Sequence, residues 1–216
     1  MISGDNPWLQ IPVADYEAHM AAVGQTAALR ELFSSVYWSV KPRRLAVLGC
    51  TTGADFDATD PAVTDVATGV DINERYLEVA ADRLTATGRH VHLVCGDVLK
   101  VELSEAPFDL VHAALLLEYL DPVALFRRVH QWLAPSGRFS IIIQEPLPGI
   151  AAVSGTAYQS LQTLSSTMSL RSAREVVSLG AREAFVCASS RALELPSGKI
   201  LTQLLFRPAN ADQPGA

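Results

Sequence analysis

Cysteine is scarce: Cys50, Cys95 and Cys187 are the only three in 216 residues, and no two form a CxxC pair. That spacing offers neither a disulfide framework nor a thiolate metal site, so no metal is expected and a reducing cytoplasm fits best. Lysine is equally scarce. Lys41, Lys100 and Lys199 stand far apart, the arginines are scattered rather than striped, and the net charge is -6. A protein that neutralises nucleic-acid phosphates needs the opposite balance, so no nucleic-acid partner is expected. No stretch approaches the ~18 consecutive apolar residues of a membrane span, and no basic patch followed by an apolar run opens the chain. Neither a membrane partner nor export is expected, and internal repeats and low-complexity segments are lacking too.

What the chain does have is apolar content, 49% of its residues, which is ample for one core and tight for two. Short apolar runs at residues 45–48, 68–71, 91–95, 110–114 and 139–143 alternate with amphipathic stretches, the pattern of an α/β protein whose parallel strands are covered on both faces. Between the second and third runs, Asn73 is placed to cap a helix with Tyr76, Leu77, Ala80, Ala81 and Leu84 on one face, and Gly88 is placed to end it. Asp121-Pro122 opens another helix, with Val123, Phe126, Val129 and Leu133 inward and Pro135-Ser136-Gly137 as its stop. Helices are also expected over residues 157–168 and 172–179. The runs 183–195 and 200–206, joined by Pro196-Ser197-Gly198-Lys199, read as an antiparallel hairpin, and the residues after Pro208 as a frayed tail.

Open parallel sheets bind ligands beyond the carboxyl ends of their strands, so the residues that follow each strand carry the chemistry. The first run ends in Gly49-Cys50-Thr51-Thr52-Gly53, a tight turn where the backbone can approach a ligand, although it also reads as a plain turn. Asp71 ends the second run about 20 residues on, where an acid accepts ribose hydroxyls or caps a helix. Gly96-Asp97-Val98 follows the third run, as an adenine-edge contact or a surface turn. Phe108-Asp109-Leu110-Val111-His112-Ala113-Ala114 ends the fourth in small residues that leave room for a ligand.

The order Leu-Gly-Cys-x-x-Gly, Gly-Val-Asp-Ile-Asn, Cys-Gly-Asp-Val, Phe-Asp-Leu-Val, then Trp132-Leu133-Ala134-Pro135-Ser136-Gly137-Arg138 resembles the S-adenosylmethionine-dependent class I methyltransferases over roughly residues 41–144. The segments Trp8 to Pro12 and Asp15 to Met20, with Glu118-Tyr119, look like an uncharacterised bacterial branch. The resemblance implies a Rossmann-like class I methyltransferase fold: a mainly parallel seven-stranded sheet with an antiparallel C-terminal hairpin and helices on both faces. It implies one methyltransferase-like domain over 1–216, divided into a helical cap (1–40), a cofactor-binding core (41–145), acceptor-side helices with the hairpin (146–207) and a tail (208–216). It implies an S-adenosylmethionine pocket from Gly49, Cys50, Thr51 and Gly53, with Asp71 on the ribose, Ile72 on the adenine face, Asp97 and Val98 on its edge, and Ala113 and Ala114 near the methionine end. S-adenosylhomocysteine would be the product.

Two positions depart from the family. Val47 stands where many relatives carry an acid that helps hold the cofactor's ammonium, and Thr51 replaces a glycine. A lost hydrogen bond to a charged group costs on the order of 1.5 to 3 kcal/mol, and a β-branched residue at positive φ roughly 1 to 2 more. Together they weaken affinity by about two to three decades if nothing compensates. Asp15, Glu17 and Asp55 are the candidate replacement acids. Tyr16, His19 and Met20 share one helical face and are expected to present themselves to the methionine end, closing the pocket.

No Asn/Asp-Pro-Pro-Tyr follows the fourth strand, as nucleobase amine methylation usually requires, and no Pro-Cys nucleophile sits there. The catalytic residue is unknown, with His112 and Glu118 the two candidate bases. The expected activity is methyl transfer to a small-molecule acceptor by a monomer or homodimer. A non-catalytic or regulatory binding protein of the same fold is the alternative, and a nicotinamide-dependent oxidoreductase the third reading.

Overall fold

Alternation along the central strand decides where the two faces of the molecule lie. In β1 (Arg44–Leu48), Leu45 and Val47 point into one apolar cluster while Ala46 and Leu48 point into another, and none of the four is more than 1% exposed. A strand buried on both faces must be central to a covered sheet. The computed structural model describes residues 6–209 and contains that sheet, with six further strands: β2 (Val66–Asp71), β3 (His92–Cys95), β4 (Phe108–Ala114), β5 (Leu133–Gln144), β6 (Phe185–Glu194) and β7 (Ile200–Pro208). Their order is β3-β2-β1-β4-β5-β7-β6, parallel from β3 to β5 and antiparallel through β7 and β6. The helices are α1 (Val13–Ala22), α2 (Gln25–Val40), α3 (Glu74–Ala86), α4 (Pro122–Trp132) and α5 (Ala173–Arg182).

Phe33 and Tyr37 of α2 and Leu77 and Leu84 of α3 cover one face, whereas Phe126 and Val129 of α4 and Val176 of α5 cover the other. The expected Rossmann-like sheet, terminal hairpin and helices on both faces are all present. Local chemistry sets the helix starts as the sequence suggests: Asn73 Oδ1 accepts from Arg75 N, Asp121 Oδ1 from Val123 N, and Ser172 Oγ from Glu175 N. Because the chain winds outward from β1 to β3 and then crosses back to β4, the carboxyl ends of β1 and β4 diverge and leave a crevice between them.

Two expectations are corrected. Leu133 belongs to β5 rather than to the inner face of α4: the helix stops at Trp132, and Leu133 pairs with Phe108 on the neighbouring strand. Residues 157–168 form no α-helix but a 3-10 segment, Gln159–Ser166. Thr163 Oγ1 donates to Ser160 O, Ser166 Oγ to Thr163 O, and Thr167 Oγ1 to Leu164 O, three-residue back-bonds that compete with α-helical pairing. Residues 210–216 of the expected tail lie outside the described residues. Among the described residues, no helix is long and apolar enough to cross a membrane.

Candidate active site

The loops at the carboxyl edge enclose a cavity of about 650 Å³, within the range of ligand sites. Its first wall is the turn after β1. Gly49 sits at φ +69° with a built Cβ only 3.3 Å from Leu116 Cδ1, so a side chain there would be strained and crowded. Thr51 follows at φ +46°, an unfavourable conformation for a β-branched residue. Two neighbours hold it there. Its backbone N–H donates to Asp71 Oδ2 at 2.9 Å, and its side chain interacts with the Tyr16 hydroxyl.

Asp71, at the end of β2, also accepts from Asn73 N through Oδ1 at 2.9 Å. Each carboxylate oxygen thus has a backbone partner, and the residue lines the cavity. Burial pushes its carboxyl up, opposed by the N–H groups of Asn73, Thr51 and Ile72. Asp97 beyond β3 is pinned by Lys100 Nζ at 2.7 Å and Leu99 N at 3.0 Å, and although burial opposes its charge these partners hold its carboxyl below the ordinary range. Ile72, Gly96 and Val98 complete this end.

The N-terminal segment forms the roof. Glu17 Oε1 accepts from Thr52 Oγ1 and from an Arg83 guanidinium nitrogen, each at 2.8 Å, tying α1 to both the β1 turn and α3. The Asn73 amide donates to Trp8 O at 2.7 Å, and the Trp8 ring meets Tyr16 and Tyr119 edge-on at 5.9 and 5.2 Å. Ser160 Oγ donates to Asp15 Oδ2, and His19 Nδ1 lies 2.9 Å from Thr156 Oγ1, so α1 is also bound to the segment after β5. Leu161, Leu164 and Val153 of that segment pack with Ile11 beneath the roof.

Ten of the thirteen residues expected at the cofactor site line the cavity: Tyr16, His19, Met20, Gly49, Thr51, Asp71, Ile72, Asp97, Val98 and Ala114. Cys50, Gly53 and Ala113 do not. The Cys50 side chain turns into the α2–α3 core, Gly53 packs against Ala80 (3.1 Å from a built Cβ), and Ala113 points into the opposite core, since adjacent strand residues face opposite ways.

Of the candidate acids, Asp15 lies off the cavity and Glu17 is neutralised by Arg83. Asp55 lines the wall with no hydrogen-bond or ionic partner among the described residues, and burial, then Asp57, pushes its carboxyl up to about 6.

Neither candidate base reaches the cavity. His112 is fully buried, its Nδ1 3.0 Å from Ser140 Oγ and its ring 4.8 Å from that of Phe33, and burial pulls it down to about 3: a neutral core histidine. Glu118 is also enclosed. Its Oε1 accepts from Gln144 N at 2.9 Å, Oε2 has no partner among the described residues, and burial pushes the carboxyl up to about 7. It joins the loop after β4 to the end of β5, as a strut.

Sequence reasoning missed residues on the other side of the crevice. Lys199, Gln25, Gln144 and Leu115 all line the cavity, and Leu115 holds φ +50°. Lys199 is only 3% exposed although it sits in a hairpin turn.

The strand order, the crevice between β1 and β4 and the antiparallel last hairpin define a Rossmann-like class I methyltransferase fold. Residues 46–137 match the family model described as methyltransferase domain. Three solved structures share the architecture. An S-adenosylmethionine-dependent methyltransferase from Clostridium acetobutylicum superposes with a TM-score of 0.64 at 13% identity, covering 83% of this chain and 90% of that one. A protein from Pyrococcus horikoshii gives 0.69 at 18%, covering 85% and 91%. Magnesium protoporphyrin IX methyltransferase from Synechocystis, with bound S-adenosylhomocysteine, gives 0.65 at 13%, covering 86% and 84%. No curated protein matches the sequence.

Proposed function

We propose that the chain binds S-adenosylmethionine along the β1–β3 end of the cavity and methylates a small molecule held at the β5–β7 end. The observation that carries this reading is Asp71: a buried carboxylate with both oxygens fixed by backbone N–H groups and open to the cavity beside the Gly49 turn. Those features fit a ribose with two adjacent hydroxyls. Asp97 and Val98 suit the adenine edge and Ile72 its face, as in the family the motifs resemble.

Val47 leaves the cofactor's ammonium without its usual acid, and Asp55 supplies one. Its carboxylate has no hydrogen-bond or ionic partner among the described residues, and an ammonium beside it would draw its carboxyl back down. Tyr16 supports the strained Thr51, so α1 contributes directly to the turn that grips the cofactor.

S-Adenosylmethionine supplies an electrophilic methyl group on a sulfonium. The protein's own task is to hold the acceptor in line with that methyl and to exclude water, which positioning alone can accomplish. The aromatic roof of Trp8, Tyr16 and Tyr119 is suited to the second part. The unbridged Cys50, Cys95 and Cys187 suit a reducing cytoplasm.

Calorimetry tests the reading. Saturable binding of S-adenosylmethionine and S-adenosylhomocysteine, with no heat from a nicotinamide dinucleotide, is expected. Binding of the dinucleotide instead would favour an oxidoreductase, and no binding of any of them a non-catalytic scaffold.

A further inference from the structure

The cavity is divided by charge. Glu17, Asp55, Asp57, Asp71 and Asp97 all stand on the loops and helices of its β1–β3 end. Among the described residues, the β5–β7 end has no lining carboxylate and holds a buried ammonium.

Lys199 is the last residue of the hairpin turn, a place where lysine is ordinarily solvated. Because β7 runs antiparallel to β5, with Leu201 opposite Gln144, the turn is carried to the carboxyl end of β5 and the side chain enters the cavity. Its Nζ donates to Ala152 O at 2.7 Å, and no carboxylate lies within 4.0 Å of it among the described residues. An ammonium has three N–H donors, so two remain unused. Burying a cation without a counter-ion is costly, and a site tolerates it where a ligand brings the missing charge. Burial also pulls Lys199 down to about 8, while burial and the charge of Lys199 pull His19 down.

The surroundings fit a small polar group rather than bulk water. Gln144 Nε2 donates to the same Ala152 O at 3.1 Å, which aligns Lys199 and Gln144 side by side. His19 uses Nδ1 on Thr156 and has no partner at Nε2 among the described residues. Leu29, Leu115 and Val153 supply apolar walls next to these polar tips, and Arg30 adds positive charge at the exposed mouth.

We propose that this end of the cavity is an anion subsite, and that the acceptor is a small, largely apolar molecule whose carboxylate or other ionised oxygen pairs with Lys199. The inference rests on the reading of the opposite end as the cofactor site. Lys199 is a specificity-determining residue in this account. It holds the acceptor by its acidic group and leaves the nucleophilic atom to face the crevice.

The test uses the full chain loaded with S-adenosylhomocysteine and a panel of hydroxybenzoates and indole carboxylates, each paired with its primary amide, read by ligand-observed NMR. The acids should bind at least about tenfold more tightly than their amides, the effect of one charge-assisted contact. Lys199→Met should erase that preference while leaving S-adenosylhomocysteine affinity within about twofold, which also verifies its fold, and Lys199→Arg should keep the preference. Equal binding of acids and amides, an unchanged preference in Lys199→Met, or failure of every acid to saturate would overturn the proposal. If S-adenosylhomocysteine itself does not bind the wild type, the cofactor reading fails, and the same panel on the unloaded protein still decides the role of Lys199.

Discussion

The two ends of the cavity are built on opposite plans. At the β1–β3 end, nearly every polar group that faces the ligand is first satisfied by the protein: Asp71 by two backbone N–H groups, Asp97 by Lys100 and Leu99, and Glu17 by Thr52 and Arg83. Such a wall is rigid and already shaped for one partner. At the β5–β7 end, Lys199 has one hydrogen bond where three are available, and the nearby His19 and Gln144 are likewise only partly engaged. The first plan suits a constant cofactor, and the second suits a partner that must bring its own charge and leave again.

The largest expected effect falls on the satisfied end. Asp71→Ala removes two charge-assisted contacts to the ribose, so affinity for S-adenosylhomocysteine should fall by about two to four decades in a calorimetric titration. It also strands the N–H groups of Thr51 and Asn73, so a lower melting temperature should accompany the loss.

Asp55 departs from that plan within the same end, and it sharpens the contrast. Asp55→Asn should weaken S-adenosylhomocysteine by about one to two decades while leaving 5′-methylthioadenosine, which lacks the amino-acid group, unchanged. Its carboxyl sits near 6 in the free protein, with Asp57 as the nearby like charge. Only the ionised form attracts an ammonium, so wild-type affinity should fall as pH drops through about 6. That slope should vanish in Asp55→Asn.

A smaller effect tests whether α1 serves the cofactor end. Glu17→Ala frees α1 from Thr52 and leaves Arg83 without its acid, and about a tenfold loss of S-adenosylhomocysteine affinity is expected with little change in circular dichroism. Unchanged affinity would reduce the roof to a passive cover.

The smallest effect lies in stability at the other end. Glu118 has a folded value of about 7 against an ordinary 4.5, so its stabilising protonated form is fully present below about 4.5 and is lost as pH rises through 7. Glu118→Gln cannot ionise and can keep the contact to Gln144 N. Its melting temperature should exceed the wild type's at pH 8 by a few degrees and match it near pH 4.5. Equal melting curves at both pH values would contradict the buried-strut account.

These differences also govern what the amino-acid order alone can reveal. The Gly49 turn, Asp71 and Asp97 are recognisable because each follows its own strand directly, and local position along the chain suffices to place them. Ala113 falls in the core for a reason the same pattern contains: a strand alternates, so Ala113 and Ala114 cannot both face the cavity, whereas the inward turn of the Cys50 side chain has no such local signature. His112 and Glu118 are candidate bases by their position at and beyond the end of the fourth strand, whereas the structure buries both side chains away from the cavity. Lys199 was hidden by its setting. Pro196-Ser197-Gly198-Lys199 reads as an exposed turn, and only the pairing of β7 with β5 turns its last residue inward. The partnership of Glu17 with Arg83 spans 66 residues and has no local signature.

The most direct measurement is a crystal structure of the protein grown with S-adenosylhomocysteine. The account predicts density with the ribose hydroxyls on Asp71, the adenine between Ile72 and Asp97, the amino-acid end toward Asp55, and the space beside Lys199 left open for the acceptor. Density for the adenosyl group beside Lys199, or no density at the Asp71 end from a saturated crystal, would contradict it.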